Sequence, residues 1–152
     1  MLKKYLCEDL QALTSKAKNS GRLRTNLNIH ETPDAAVQRL FLAFEPDTYI
    51  RPHRHPEAHK WELFIVLQGE LELLIFNDAG DIVERVILSP SATRVVEIPP
   101  GTWHSYICRE QGTVALEIKQ GEYLPTQECD YLPVSPAENT PQATTYYQSM
   151  KK

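Results

Sequence analysis

The sequence predicts an all-β protein, a sandwich or closed barrel, on three observations. From Val37 onward the chain breaks into short β-prone runs, the runs are separated by compact turn signals, and the 152 residues suffice for one domain with a real core but not for two. The runs are VQRLFLAFE, TYIRPHRH, WELFIVLQ, ELELLIFN, DIVERVIL, TRVVEIP, WHSYICRE and TVALEIKQ. They are bounded by EPD, QG, NDAG, SPSA, PPG and EQG, the punctuation expected between strands.

Ahead of the strands, EDLQALTSKAKN over residues 8–19 places acids in its first turn and lysines late, with Leu10, Leu13 and Ala17 on one face and Gly21 as a stop. This is a short amphipathic helix. RLRTNLNIH then alternates Arg22, Arg24, Asn26, Asn28 and His30 with apolar or neutral residues, so it has one polar face. Within the strand region FNDAGDIV reads as a hairpin turn through Asp78, Ala79 and Gly80. After Gly121 the chain carries Pro125, Pro133, Pro136 and Pro141, which exclude a central strand, and an irregular Pro-rich tail that lies over the barrel or is partly disordered is expected. The organisation is thus residues 1–36 as helix and edge segment, 37–120 as barrel, and 121–152 as tail.

Net charge of −4 with no basic stripe argues against nucleic acid as a partner. No apolar run approaches the ~20 residues of a membrane span, and MLKKYLCEDLQ lacks the apolar core of a signal peptide. Cys7, Cys108 and Cys129 are odd in number and widely spaced, which suits free thiols and a cytoplasmic location. In WELFIVLQ both faces are apolar, so the outer one needs a cover from another sheet, the helix, the tail or a second subunit, and a homodimer is the economical expectation.

The chemistry gathers in RPHRHPEAHKWELFIVLQGE, where three of the five histidines fall within seven positions. In an extended segment Tyr49, Arg51, His53 and His55 share one face. Glu62 shares its face with Phe64 and Val66, an odd place for a carboxylate unless a cation awaits it. His104 follows a Pro-Gly turn at the start of another strand, where a closed barrel brings it across the cavity. Three imidazole nitrogens and one carboxylate suit a divalent Zn, Fe, Mn, Ni or Co ion. A lone histidine beside a proline is usually a solvated loop residue; it is the combination that points to metal.

These residues resemble the cupins. The first cupin motif, G-x5-H-x-H-x3,4-E-x6-G, is matched by His53, His55, Glu62 and Gly69, and the second, G-x5-P-x-G-x2-H-x3-N, by Pro99, Gly101 and His104. The resemblance implies a jelly-roll barrel with a metal on His53, His55, Glu62 and His104. Asp47, Thr93 and Cys108 stand where the motifs have Gly, Gly and Asn, and six residues separate His55 from Glu62 instead of three or four. The insert PEAHKW makes Glu57 an alternative to Glu62, but the intact spacing to Gly69 favours Glu62; His59 is expected to be exposed, with a fifth ligand or a proton shuttle as the alternatives. GRLRTNLNIH, VQRLFLAFEPDTYIRPHRHPEAHKWE and LEIKQGEY further resemble WbuC-type cupin fold metalloproteins, which implies a setting in O-antigen or other cell-surface polysaccharide biosynthesis.

Around the metal, Tyr106 and Cys108 follow His104 at two-residue steps and point into the same cavity. Tyr106 and Lys60 are the candidate proton donors, with packing the commoner role for such a tyrosine. Arg51, Arg22, Arg24, Lys60 and Tyr106 are the candidate ligand contacts, the cations forming a rim for a carboxylate or sugar-linked phosphate. Two faces of Thr113–Gln120 remain open: either Val114, Leu116 and Ile118 fill the core, or Glu117 does. The expected activity is isomerisation or epimerisation of a small sugar-derived or carboxylated metabolite. A non-catalytic binding or regulatory module, an Fe(II) oxygenase and a purely structural metal are the alternatives.

Overall fold

The computed structural model describes residues 2–152 and is a two-sheet β-structure flanked by two helices. Helix α1, Cys7–Lys18, begins where the Asp9 carboxylate accepts the Leu6 N–H at 2.7 Å, and ends at Asn19. Eight strands follow: β1 Arg24–Asn28, β2 Val37–Phe44, β3 Glu62–Gln68, β4 Leu71–Phe76, β5 Ile82–Leu88, β6 Val95–Ile98, β7 Trp103–Cys108 and β8 Thr113–Gln120. They form a five-stranded sheet in the order β1-β2-β8-β3-β6 and a three-stranded sheet in the order β5-β4-β7.

Phe44, Phe64, Val66, Leu71, Leu73, Leu88, Tyr106 and Ala115 make the core between the sheets. The outer face of each sheet also needs a cover; the three-stranded sheet receives one, and the larger sheet is covered over β1, β2 and β8 while Leu67 and Val95 at its β3-β6 end stay exposed. Leu13 and Ala17 of α1 pack on Phe41, Ala43 and Val114 of the five-stranded sheet. The C-terminal segment packs Leu132, Tyr147 and Met150 on Leu74, Phe76, Trp103 and Ile107 of the three-stranded sheet.

This packing corrects the expectation of an irregular tail, because residues 141–150 form a second helix, α2, Pro141–Met150. Its start is capped by Thr140, whose hydroxyl accepts the Ala143 N–H at 3.3 Å, with Pro141 in the first turn where a missing N–H costs nothing. A second correction concerns TYIRPHRH, which joins neither sheet and makes only bridge pairings at His53. Pro52 and Pro56 remove the donors that a ladder needs. The hairpin turn after β4 is as expected, with Gly80 at φ 92 and the Gly80 N–H donated to the Asn77 carbonyl at 3.0 Å.

The register decides what faces inward. Glu62 is opposite Lys119, which is opposite Gln38, and the next inward row runs Asn28, Leu40, Glu117, Phe64. The open choice in β8 is thereby resolved with Ala115, Glu117 and Lys119 inside, since α1 takes Val114 and Leu116 on the outer face.

Candidate metal centre

His53, His55, Glu62 and His104 meet at one end of the space between the sheets. Glu62 opens β3 and is buried, with Oε1 3.1 Å from His55 Nε2 and Oε2 3.0 Å from His104 Nε2. The His53 ring centroid lies 4.6 Å from that of His104 and 5.3 Å from that of His55. His53 and His104 exchange both backbone hydrogen bonds, at 3.0 and 2.9 Å, which brings the two distant motifs side by side. On the other flank the Gly101 N–H donates to the His55 carbonyl at 2.7 Å, and Gly101 holds φ 77 to make that approach.

The imidazole protons are largely committed. His53 Nδ1 pairs with the Arg51 carbonyl at 3.0 Å and His104 Nδ1 with the Thr102 carbonyl at 2.9 Å. A carbonyl accepts only, so Nδ1 carries the proton and Nε2 of the neutral ring presents a lone pair. His55 Nε2 is buried and, although near Glu62, is not aligned for a hydrogen bond.

Lone pairs of His104 and a carboxylate oxygen 3.0 Å apart repel unless a proton or another cation lies between them. In the metal-free chain the proton does so: burial opposes charge on both groups, yet the pairing holds His104 above its ordinary pKa and Glu62 well below the usual carboxylate range. Burial and the neighbouring His104 depress His53 to about 3, so it stays neutral and able to donate a lone pair.

The donor set fits a divalent ion on chemical grounds. Nitrogen and oxygen ligands ~2.1 Å from one ion and at right angles to each other stand ~3 Å apart, the spacing that Glu62 keeps to both imidazoles. Among the described residues no group of three or more His, Cys, Asp or Glu side chains is arranged as a finished shell. Here the carboxylate is drawn onto the imidazoles themselves.

One inward residue, Lys119, was not among the candidates in the sequence, and Glu117, left open there, joins it. Lys119 Nζ lies 2.9 Å from Glu117 and 3.5 Å from Glu62. Burial would lower its pKa, but the two carboxylates raise it, so it is a fixed cation beside the cluster. Its signal in the sequence was Glu117-x-Lys119 at a strand end, whose inward direction could not be read without the register. Lys119 also lines a cavity of about 350 Å³ with Asn26, Asn28, His30, Leu40 and Leu42; none of the four clustered donors lines that cavity, and Lys119, 3.5 Å from Glu62, is what joins it to them, while a small crevice is bordered by Lys119, His55, Lys60 and Tyr123.

The other candidates are distributed unevenly. Tyr106 is buried, stacked on Phe64 at 4.6 Å and 5.9 Å from the His104 ring, and its hydroxyl has no hydrogen-bond partner among the described residues. Burial raises it well above its ordinary pKa. Lys60 is buried near His55 and sits 3.5 Å from Glu57, so Glu57 is occupied on the loop while Glu62 holds the imidazoles. His59 is exposed.

The expected cationic rim is not assembled, because each arginine is drawn to an acid of the tail. Arg22 and Arg24 both pair with Glu138 and line a separate cavity of about 440 Å³ that shares no lining residue with the imidazole cluster. Arg51 is turned to Glu128 at 2.8 Å. Cys108 is buried, its thiol pushed up to about 11 by burial, and the three cysteines are free.

A family model described as a domain of unknown function (DUF6016) matches residues 7–88. No curated protein matches the chain. Among solved structures, KdgF from Halomonas sp. is 18% identical with a TM-score of 0.54, over 69% of this chain and 85% of that one. A cupin superfamily protein from Desulfitobacterium hafniense DCB-2 is 15% identical with a TM-score of 0.56, over 80% and 94%. Oxalate oxidase in complex with the substrate analogue glycolate is 18% identical with a TM-score of 0.53, over 71% of this chain and 55% of that one, so the chain spans about half its length. At these identities the likeness concerns the fold, which is that of a cupin.

Proposed function

Because the chain belongs to the DUF6016 family, whose description assigns no activity, we propose its function from the site: a mononuclear divalent-metal centre on His53, His55, Glu62 and His104 that acts on a small sugar-derived or carboxylated metabolite. The observation that carries this is a buried carboxylate, Glu62, set 3.1 Å from His55 Nε2 and 3.0 Å from His104 Nε2, with the His53 ring packed on His104 and the Nδ1 protons of His53 and His104 taken by backbone carbonyls. Such a set is stable only around a positive charge.

The bound ion would supply Lewis-acid polarisation of a ligand carbonyl or hydroxyl. The chain's own residues supply the rest. Lys119 offers a cation for the ligand's carboxylate or phosphate, while Asn26 and Asn28 offer amide groups for hydroxyls and Leu40 and Leu42 face its carbon skeleton. Glu117, 2.9 Å from Lys119, keeps that ammonium charged. Lys60 and Tyr106 remain the candidate proton donors. The glycolate held by the oxalate oxidase neighbour is itself a small hydroxy acid, in keeping with this ligand class.

Isomerisation or epimerisation, by moving a proton next to a polarised carbonyl, is the reaction we assign. The WbuC-type resemblance supports a cytoplasmic setting in surface-polysaccharide synthesis. No helix among the described residues is long and apolar enough to cross a membrane. Val95, 47% exposed opposite Ile65 on the uncovered edge of the larger sheet, supports a homodimer.

The test is to identify the metal of the purified chain by mass spectrometry, then screen sugar acids and nucleotide sugars in D2O. Deuterium incorporation or product formation that needs the metal supports the enzyme. Metal-dependent thermal stabilisation without turnover makes the chain a binding module. A chain that takes up no transition metal contradicts both.

A further inference from the structure

We infer that the C-terminal segment 128–135 is a working part of the metal centre, holding the extended segment that carries His53 and His55, with Arg51 as its anchor. The inference rests on the reading of those imidazoles as metal ligands.

Residues 52–54 lie outside both sheets, so they need support on two edges. One edge is β7, through the exchange between His53 and His104. The other is the tail, where the Leu132 N–H donates to the Pro52 carbonyl at 2.9 Å and the Arg54 N–H to the Asp130 carbonyl at 3.0 Å, with His53 bridged to Tyr131. The ligand-bearing segment is therefore the middle strand of a three-strand arrangement whose far strand comes from beyond the barrel. Without it, backbone groups of Pro52 and Arg54 would form an open edge.

The side chains repeat the arrangement. Arg51 donates Nε to the Ser135 carbonyl at 3.1 Å and its two Nη groups to Glu128 at 3.1 and 2.8 Å, while its guanidinium lies 4.3 Å from the Tyr131 ring centroid. The carbonyl of this same residue accepts the His53 Nδ1 proton at 3.0 Å. The residue that grips the tail thus fixes the tautomer and direction of a proposed ligand. Arg54 adds a contact to Asp130 at 3.4 Å and stacks over Trp103 at 4.3 Å. Arg51, Asp130 and Tyr131 are positioning residues, and Arg51 is spent on this task rather than on a ligand.

The test uses the full chain, with Co2+ as probe, and compares Arg51→Gln and Tyr131→Ala with the parent. Affinity is read by competition with a chelator, and ligand geometry by the visible absorption bands of the bound ion. Both variants keep the Arg51 carbonyl but release the tail contacts that hold it in place, and since a disturbed orienting partner of a metal ligand costs about 10–100-fold in affinity, a loss approaching that size with altered bands is expected. Arg51→Lys, which cannot reproduce the fork, should recover only part of it. Leu13→Ala, under α1 and away from the site, controls for general destabilisation: it should lower the melting temperature yet keep affinity and spectrum. Should Arg51→Gln not fold, Tyr131→Ala carries the comparison. Parent-like affinity and bands in the tail variants, or losses that merely track melting temperature as in Leu13→Ala, overturn the inference. A parent that binds no Co2+ overturns the metal reading itself, and this inference with it.

Discussion

Glu62 Oε2 stands 3.0 Å from His104 Nε2, while His104 has already committed Nδ1 to the Thr102 carbonyl. One position between these atoms is therefore reserved for a positive charge, and a proton and a metal compete for it. The loss of stability on the alkaline side and the pH dependence of metal affinity follow from that competition.

In metal-free protein the melting temperature should peak near pH ~6.5, the ordinary value of histidine. His104 is raised, so its contribution is full below ~6.5 and is lost as pH rises through its folded value. His53 is depressed to about 3, so its contribution is present above ~6.5 and is lost as pH falls toward 3. Glu62 is depressed, so its share is present above ~4.3 and is lost as pH falls further. Calorimetry in chelator across pH 4–9 checks this, and a steady rise to pH 9 would contradict the His104–Glu62 pairing. With metal added, affinity should increase with pH as the His104 proton leaves.

His53→Ala and His104→Ala should each lose stoichiometric metal, whereas His59→Ala should keep it. His59 is exposed, with its ring beside Gly121, and a surface imidazole adds little to a buried site. Metal content by mass spectrometry after dialysis decides the matter. Full stoichiometry in His53→Ala or His104→Ala would remove that residue from the ligand set.

Much of this arrangement was legible in the sequence because strand alternation and motif spacing are local properties. The runs that became β2 to β8 were bounded to within a few residues, and four dispersed donors pointed to one centre. What failed was non-local. TYIRPHRH has strand composition, but its partners are His104 of β7 and residues 130–132 of the tail, both far away in sequence, and no local pattern announces those pairings. The face of Glu117 was unreadable because α1 makes the outer side of β8 as apolar as a core. Arg22 and Arg24 looked like a ligand rim because Glu138, which occupies both, lies beyond the barrel in sequence. Helix α2 had a readable signal, Thr140-Pro141 as cap and first turn, which the surrounding prolines obscured.

Lys119→Met should separate ligand recognition from metal binding. The substitution keeps the volume of the stem and removes the ammonium that faces both Glu62 and the cavity. Metal stoichiometry should be retained, since Lys119 competes with an ion for the same carboxylate. Affinity for a uronic acid or glycolate should fall ~10–100-fold, the loss of one charged hydrogen bond. Calorimetric titration of the metal-loaded variant measures it, and unchanged affinity would move the anion contact elsewhere.

Leu132→Ala tests whether the tail belongs to the folded unit. Leu132 is fully buried against Leu74, Trp103, Tyr147 and Met150, so truncation leaves a cavity beneath the tail and should cost about 2–5 kcal/mol. Leu124, on the same tail but 46% exposed, has far less packing to lose, and Leu124→Ala should stay within about 0.5 kcal/mol. Urea unfolding of both in chelator removes the metal's contribution from the comparison. Equal, small effects would mean that the tail is loosely attached, and a loosely attached tail could not hold the segment bearing His53. A large effect confined to Leu132→Ala means that the tail and the three-stranded sheet unfold together, so the edge contact to Pro52 and Arg54 is as durable as the core beneath it.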